Sequence, residues 1–248
     1  MKETRILMGM PVTVEVIGSG PVIQKAIEEV FGYFAYVDQT FSTFKETSEI
    51  THINRGLLKP SQYSSDMQEV LALSEKTKQE TNGYFDIVTN QETYDPSGLV
   101  KGWAINKATS ILDNRGFANF YVEAGGDIQV RGHNEEQQPW LVGIKNPFNV
   151  KEIVKVVHLA HNEGIATSGS YERGNHIYNP KNRTESLACI VSITVIGANV
   201  YEADRFATAA FAMQEQGIHF IEQLPSLEGY AIDTKGMATM TTGFKKYL

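Results

Sequence analysis

The amino-acid sequence predicts an α+β fold, with mixed, largely antiparallel sheets and helices packed against them. Long segments with apolar residues at helical spacing occur beside short β-branched runs with period-two alternation. The two kinds do not follow the regular strand–helix–strand order that a parallel sheet requires. A Gly125-Gly126-Asp127 step between two strand-like runs reads as a hairpin turn. No repeat, low-complexity tract or linker divides the chain, so residues 1–248 are expected to form a single domain.

Each element has a local reason. Residues 7–16 are rich in β-branched side chains and predict a first strand. Gly18-Ser19-Gly20 turns the chain, and Pro21 suits the first position of a helix because its missing N–H is not needed there. Ile23, Ile27, Val30, Phe31, Phe34 and Val37 follow at helical spacing and predict a helix on the core. A polar connection over residues 41–54 leads to Ser65 and Gln68, read as a capping box that opens a second helix. Asn82-Gly83 ends it, and a third helix runs from Leu99 to about Arg115 before Gly116. Strands are predicted over residues 120–124, 128–131, 140–145, 153–161 and 188–196. Helices are predicted over 202–214 and 217–224, and a closing hairpin turns at Thr234-Lys235-Gly236.

Composition narrows the function classes. With 248 residues, 42% of them hydrophobic, the chain can bury a sizeable core. The formal net charge of −7 and the absence of a basic stripe argue against a nucleic-acid partner, which needs clustered Lys and Arg. Apolar runs are strand-sized, so no membrane insertion is expected. The N-terminus, Met1-Lys2-Glu3-Thr4-Arg5-Ile6-Leu7, reads as neither a signal peptide nor a lipidation site, and a cytoplasmic protein is expected. The single cysteine, Cys189, sits in an apolar run and is expected to be a small buried hydrophobe.

Four segments carry candidate chemistry. Asp95-Pro96-Ser97-Gly98-Leu99-Val100-Lys101 combines a turn, a helix start and a lysine, which fits a phosphate site or an ordinary Asp-Pro helix cap. Gly125-Gly126-Asp127 fits a plain hairpin or a close backbone approach to a ligand. Residues 165–177 are dense in small hydroxyl side chains, and His176 beside them is either a general base or a structural histidine. Asp204 and Thr208, four apart on a helix, project from one face; their oxygens suit Mg²⁺, or else Asp204 serves the helix dipole alone. His158 and His161 are read as neighbours in one strand, on opposite faces, and so share no metal. The signatures of zinc proteases, P-loops, Rossmann domains and α/β-hydrolases are missing from the sequence.

The ordered set is more specific than any of its parts. Met8-Gly9-Met10, Phe41-Ser42-Thr43-Phe44, Ser48-Glu49-Ile50 with Asn54, and Gly83-Tyr84-Phe85-Asp86 come first. They are followed by Asp95 to Lys101-Gly102 and Gly125-Gly126-Asp127-Ile128. Then come Ala166-Thr167-Ser168-Gly169 with Tyr171-Glu172, His176-Ile177 with Pro180, and Ala203-Asp204 with Thr208. In this order the chain resembles, over nearly its whole length, the ApbE family of FAD:protein FMN transferases.

The resemblance implies an ApbE-like, T-fold-like α+β architecture, FAD as flavin donor, and a Mg²⁺ ion. It also implies an acceptor flavoprotein whose Thr or Ser receives FMN through a phosphoester, with release of AMP. Carried onto this sequence, Asp204, Thr208 and the Gly98 carbonyl would hold the metal. Met8, Phe44, Tyr84, Phe85, Asp86, Asp95, Lys101, His176 and Ile177 would line the FAD site, and His176 would be the base. The sequence departs from the family pattern at Met10, at Ser170, at Asn179 and at Asn182-Arg183. Two further readings use the same residues: a Mg²⁺-dependent FAD pyrophosphatase giving FMN and AMP, and a protein that binds or stores FAD without catalysis.

Overall fold

The computed structural model describes residues 1–170, 177–182, 184 and 187–248. In chain order the elements begin with β1 (Lys2–Leu7), β2 (Met10–Val16), α1 (Pro21–Phe41), α2 (Glu49–Asn54), α3 (Ser65–Glu80) and α4 (Ser97–Asp113). There follow β3 (Phe120–Ala124), β4 (Asp127–Gly132), β5 (Trp140–Asn146), β6 (Asn149–Leu159), β7 (His161–Gly169) and β8 (Ile190–Gly197). The chain closes with α5 (Val200–Ala212), α6 (Glu215–Glu222), β9 (Leu227–Asp233), β10 (Ala238–Met240) and a 3-10 turn over Thr242–Tyr247.

Eight strands form one sheet in the order β1-β2-β3-β4-β7-β8-β9-β10, antiparallel at every junction. The sheet is open, with β1 and β10 at its edges. Among the described residues, strands β5 and β6 pair only with each other. The α+β expectation therefore holds.

Side-chain alternation divides the sheet into two cores. Val12, Val14, Val16, Phe120, Val122, Ile193 and Val195 face the helices α1, α4 and α5, which bury Ile27, Phe34, Leu99, Ile105 and Phe211 against them. Val130, Ile165, Ile196, Tyr230 and Ile232 face the other way, onto Trp140, Ile144, Val157 and Leu159 of the β5–β6 hairpin and onto Phe244 and Tyr247. Strand β8 is covered on both sides, which is why it reads as a nearly unbroken apolar run. Among the described residues, no helix is long and apolar enough to cross a membrane.

Several expectations change in detail. The predicted first strand is a hairpin: β1 pairs with β2 across Met8-Gly9, both at positive φ (52° and 72°), the backbone a tight two-residue turn needs. Strand β1 has no buried residue and so no apolar face to betray it. Within the polar connection, Ser48 caps the short helix α2 by accepting the Thr51 N–H at 3.1 Å. The α3 cap is Ser64 rather than Ser65; its Oγ accepts the Met67 N–H at 3.1 Å while Gln68 reaches back to the Tyr63 carbonyl at 2.9 Å. The first part of the hydroxyl-dense segment is strand: Ile165 to Gly169 belong to β7, and residues 171–176 lie outside the described residues. His158 lies on β6 and His161 opens β7, so they are not in one strand; positive φ at His161 (56°) marks the break. Cys189 is exposed, not buried, because it lies in the approach to β8 rather than in the strand.

Candidate functional site

The ends of α4 and α5 meet the turn ends of β3, β4 and β7 around one cleft. Helix α4 starts where Asp95 closes a small loop. The Asp95 N–H bonds the Ile87 carbonyl at 2.7 Å, and its carboxylate accepts the Ser97 N–H at 3.1 Å. Asn54 clasps the same loop through both its amide atoms to Tyr94, at 2.9 and 2.8 Å. On the other side, Asn199 caps α5 by accepting the Glu202 N–H at 2.9 Å. Arg205, buried, pairs with Glu202 and Glu80 and ties α5 to α3.

Helix α4 packs tightly against α5 at Gly102. A Cβ there would lie 2.6 Å from Asp204 Cβ and 2.8 Å from the Val200 carbonyl oxygen. Without one, the Gly102 N–H reaches Asp204 Oδ2 at 2.7 Å. The Thr208 hydroxyl, one turn further along α5, donates to the Gly98 carbonyl at 3.2 Å and lies 3.4 Å from the Ser168 hydroxyl. A Cβ at Gly98 would also be tight, 3.1 Å from Thr208 Cγ2 and 3.3 Å from Phe85.

Lys101 stands between two buried carboxylates. Its ammonium lies 2.6 Å from Asp127 Oδ2, a close ion pair rather than a directed hydrogen bond, and 3.8 Å from Asp204 Oδ1. Asp127 Oδ1 accepts the Thr167 N–H at 3.0 Å, which binds the start of β4 to β7. Burial pushes the Asp204 carboxyl up to about 7, and the neighbouring Asp127 adds to the rise; Lys101 and the Gly102 N–H oppose it. Two carboxylates lie beside one lysine, and a second cation bound there would favour the ionised form of Asp204.

The cleft encloses about 1010 Å³ of open space, part of it continuous with solvent. Of the residues that the sequence singled out, Tyr84, Phe85, Asp86, Asp95, Gly98, Lys101, Ile177, Asp204 and Thr208 all line it. Two do not. Phe44 is 97% exposed at the tip of a surface turn, where no neighbour covers it. Met8 lies in the β1–β2 turn, outside the cleft wall, although Gly125 at the wall binds the neighbouring Pro11 carbonyl at 3.0 Å. His176 lies outside the described residues. Asp127 and Gly102 stand in motifs that the sequence singled out, but neither was given a role of its own. An aspartate directly after a glycine turn, at the first position of a strand, was the available signal for Asp127.

The oxygen set formed by Asp204, Thr208 and the Gly98 carbonyl fits magnesium. That ion takes hard oxygen ligands, needs one or two carboxylates, and keeps sites for water and substrate phosphates. Among the described residues no group of three or more His, Cys, Asp and Glu converges as a metal cage. Tyr84, with Lys181 4.5 Å above its ring, and the buried Phe85 add aromatic surface suited to a flat heterocycle.

The ApbE family model matches this sequence over residues 8–93 and 90–231. The chain belongs to the ApbE family. A relative from Haemophilus influenzae, named FAD:protein FMN transferase, is 24% identical, the match covering 99% of this chain and 92% of the relative. Relatives of the same name from Vibrio cholerae and Escherichia coli K12 are 30% and 28% identical over 62% of this chain. The match spans about half the length of those two, 49% and 47%. Among solved structures, the flavin transferase ApbE from Vibrio cholerae superposes with a TM-score of 0.86 at 20% identity, covering 100% of this chain and 99% of that one. The ApbE protein from Thermotoga maritima gives 0.85 at 20% identity, with 100% and 98% covered. The ApbE fold is thus shared over the full length.

Proposed function

We propose that this chain is a magnesium-dependent FAD:protein FMN transferase. The observation that carries the reading is the Asp127–Lys101–Asp204 cluster, set in a cleft with Thr208, the Gly98 carbonyl and the rings of Tyr84 and Phe85. Asp204, Thr208 and the Gly98 carbonyl would hold the ion, which when bound supplies charge neutralisation to the pyrophosphate oxygens. Lys101, fixed by Asp127, presents a point charge to the same phosphates. Tyr84, Phe85 and Ile177 offer apolar surface for the flavin or adenine ring, and Asp86 and Asp95 offer acceptors for its polar edges.

In the reaction, the hydroxyl oxygen of an acceptor Thr or Ser attacks the phosphorus on the FMN side of FAD. An O–P bond to the acceptor forms, the bond to the AMP phosphate breaks, and AMP leaves. His176 takes the hydroxyl proton. Positioning is the larger part of the work, because phosphoryl transfer asks little covalent chemistry of the protein. A cytoplasmic location is part of the same proposal.

The test is direct. The full chain is incubated with FAD, Mg²⁺ and an acceptor flavoprotein, and intact masses and nucleotide products are recorded. Addition of one FMN mass to the acceptor with equimolar AMP supports transfer. Free FMN and AMP alone would assign a pyrophosphatase, and intact FAD would assign a binding protein.

A further inference from the structure

Strand β4 carries a second tether to the helices, two residues after Asp127. Residues two apart on a strand share a face, so Gln129 points to the same side of the sheet as Asp127, and it meets α5. Its side chain is fully buried. Gln129 Oε1 accepts the Val200 N–H at 2.7 Å, and its Nε2 donates to Asn162 Oδ1 at 2.8 Å. A buried amide costs free energy unless its polar ends are bonded, and here both are. Nothing in the chemistry above uses this residue.

Part of its role is structural. Val200 opens α5, and the first N–H groups of a helix have no partner within it. Asn199 serves the Glu202 N–H, and Gln129 serves the Val200 N–H. Yet Val200 is also the residue at which α5 has no room to move. Its carbonyl oxygen would lie 2.8 Å from a Cβ at Gly102, and its nitrogen 2.1 Å from a Cβ at Gly164. Glycine backbone of α4 and of β7 thus closes on one residue from two sides. In an α-helix the carbonyl of each residue accepts the N–H four positions on, so Val200 holds the backbone of Asp204. The Asp204 carboxylate then accepts the Gly102 N–H at 2.7 Å. Bonded groups run without a gap from Gln129 through Val200 to Asp204.

We infer that Gln129 is a positioning residue for the metal edge of the cleft. By fixing the first turn of α5 it sets Asp204 and Thr208 against the Gly98 carbonyl on α4. The inference rests on the transferase reading, which makes those three oxygens the magnesium ligands. Asp127 holds Lys101 of α4 and Gln129 holds Val200 of α5, so one face of a single strand sets the two helices against each other. Mg²⁺ demands near-ideal octahedral geometry, so a small shift of α5 weakens metal binding before it disturbs the fold.

Two variants test this. Gln129→Met keeps the bulk and removes the acceptor, whereas Gln129→Glu keeps an oxygen for the Val200 N–H. Each full-length chain is titrated with Mg²⁺ by calorimetry, and FAD cleavage is followed against Mg²⁺ concentration. The methionine variant, folded by circular dichroism, should bind Mg²⁺ about tenfold more weakly and need about tenfold more for half-maximal cleavage. Its affinity for FAD without Mg²⁺, read from flavin fluorescence, should not change. The glutamate variant should recover most of the loss. A role in stability alone would lower the melting temperature and leave the Mg²⁺ requirement where it was, and that result overturns the proposal. So does a glutamate variant as impaired as the methionine one. Should the methionine variant not fold, Asn162→Ala decides, because Asn162 is exposed and its side chain orients the Gln129 amide. A raised Mg²⁺ requirement in that variant supports the proposal, and an unchanged one overturns it. A wild-type chain that cleaves FAD equally well without Mg²⁺ sinks the metal reading instead.

Discussion

Asp204 shows how far a local pattern reaches. The spacing of Asp204 and Thr208 puts both side chains on one face of a helix, but alone it fits an ordinary acidic helix start as well, and only the resemblance of the ordered motifs singled the pair out as candidate metal ligands. What the pattern does not contain is the company that sets their charge. Asp127 arrives from a hairpin far away in sequence, and Gly102 supplies the N–H that holds Asp204 at 2.7 Å. Phe44, singled out by resemblance alone, is 97% exposed and does not line the cleft. We expect Asp204→Ala to lower FAD cleavage by more than about a hundredfold with the circular dichroism spectrum unchanged. Undiminished cleavage at limiting Mg²⁺ would remove Asp204 from the metal site. Gly102→Ala places a methyl against Asp204 and Val200. It should cost about 1–3 kcal/mol in denaturant melts and lower turnover, because the two helices must part.

At the scale of the element, strands and helices with an apolar face were read well, and those without one were not. Helix α1 buries Ile23, Ile27, Val30, Phe31, Phe34 and Val37 as their spacing requires. Strand β1 buries nothing, and α2, although it buries Ile50 and Ile53, is only six residues long, too short for a helical period to register. Strand β7 was obscured by its run of small hydroxyl side chains. Strand β3 carries a testable liability in Glu123. Burial raises its carboxyl above the usual range, and Asp127 adds to this against the pull of Lys145 and Lys2. A raised carboxyl binds its proton more tightly when folded, so stability is full below the unfolded-state value and falls as pH rises through the folded one. Glu123→Gln should therefore raise the melting temperature at pH 7, and the gain should vanish near pH 4. A gain that persists at low pH would point to packing instead of charge.

At the scale of the molecule, one sheet carries two cores, and the helix side was the more legible. The hairpin side depends on Phe244, fully buried in a 3-10 turn close to the end of the sequence described. Its ring partner Tyr247, at 6.1 Å, lies in the same turn, but Tyr230, at 5.5 Å, comes from β9, which no short pattern joins to it. Phe244→Ala should cost about 3–5 kcal/mol. Hydrogen exchange should show the β5–β6 hairpin opening before the helical side, and equal loss of protection on both sides would refute a separate second core.

The cluster at Lys101, Asp127 and Asp204 has one more implication, for the order in which the molecule comes into being. Its members are separated by 26 and 77 positions along the chain, and each is fixed by a neighbour from another element. A growing chain still short of α5 possesses α4 and the Gly125 turn but not the assembled cluster. On the proposed function, flavin nucleotide cannot then act as a template for early folding, and binds only a chain already complete through Thr208. Saturating FAD should accordingly slow unfolding and leave the refolding rate unaltered.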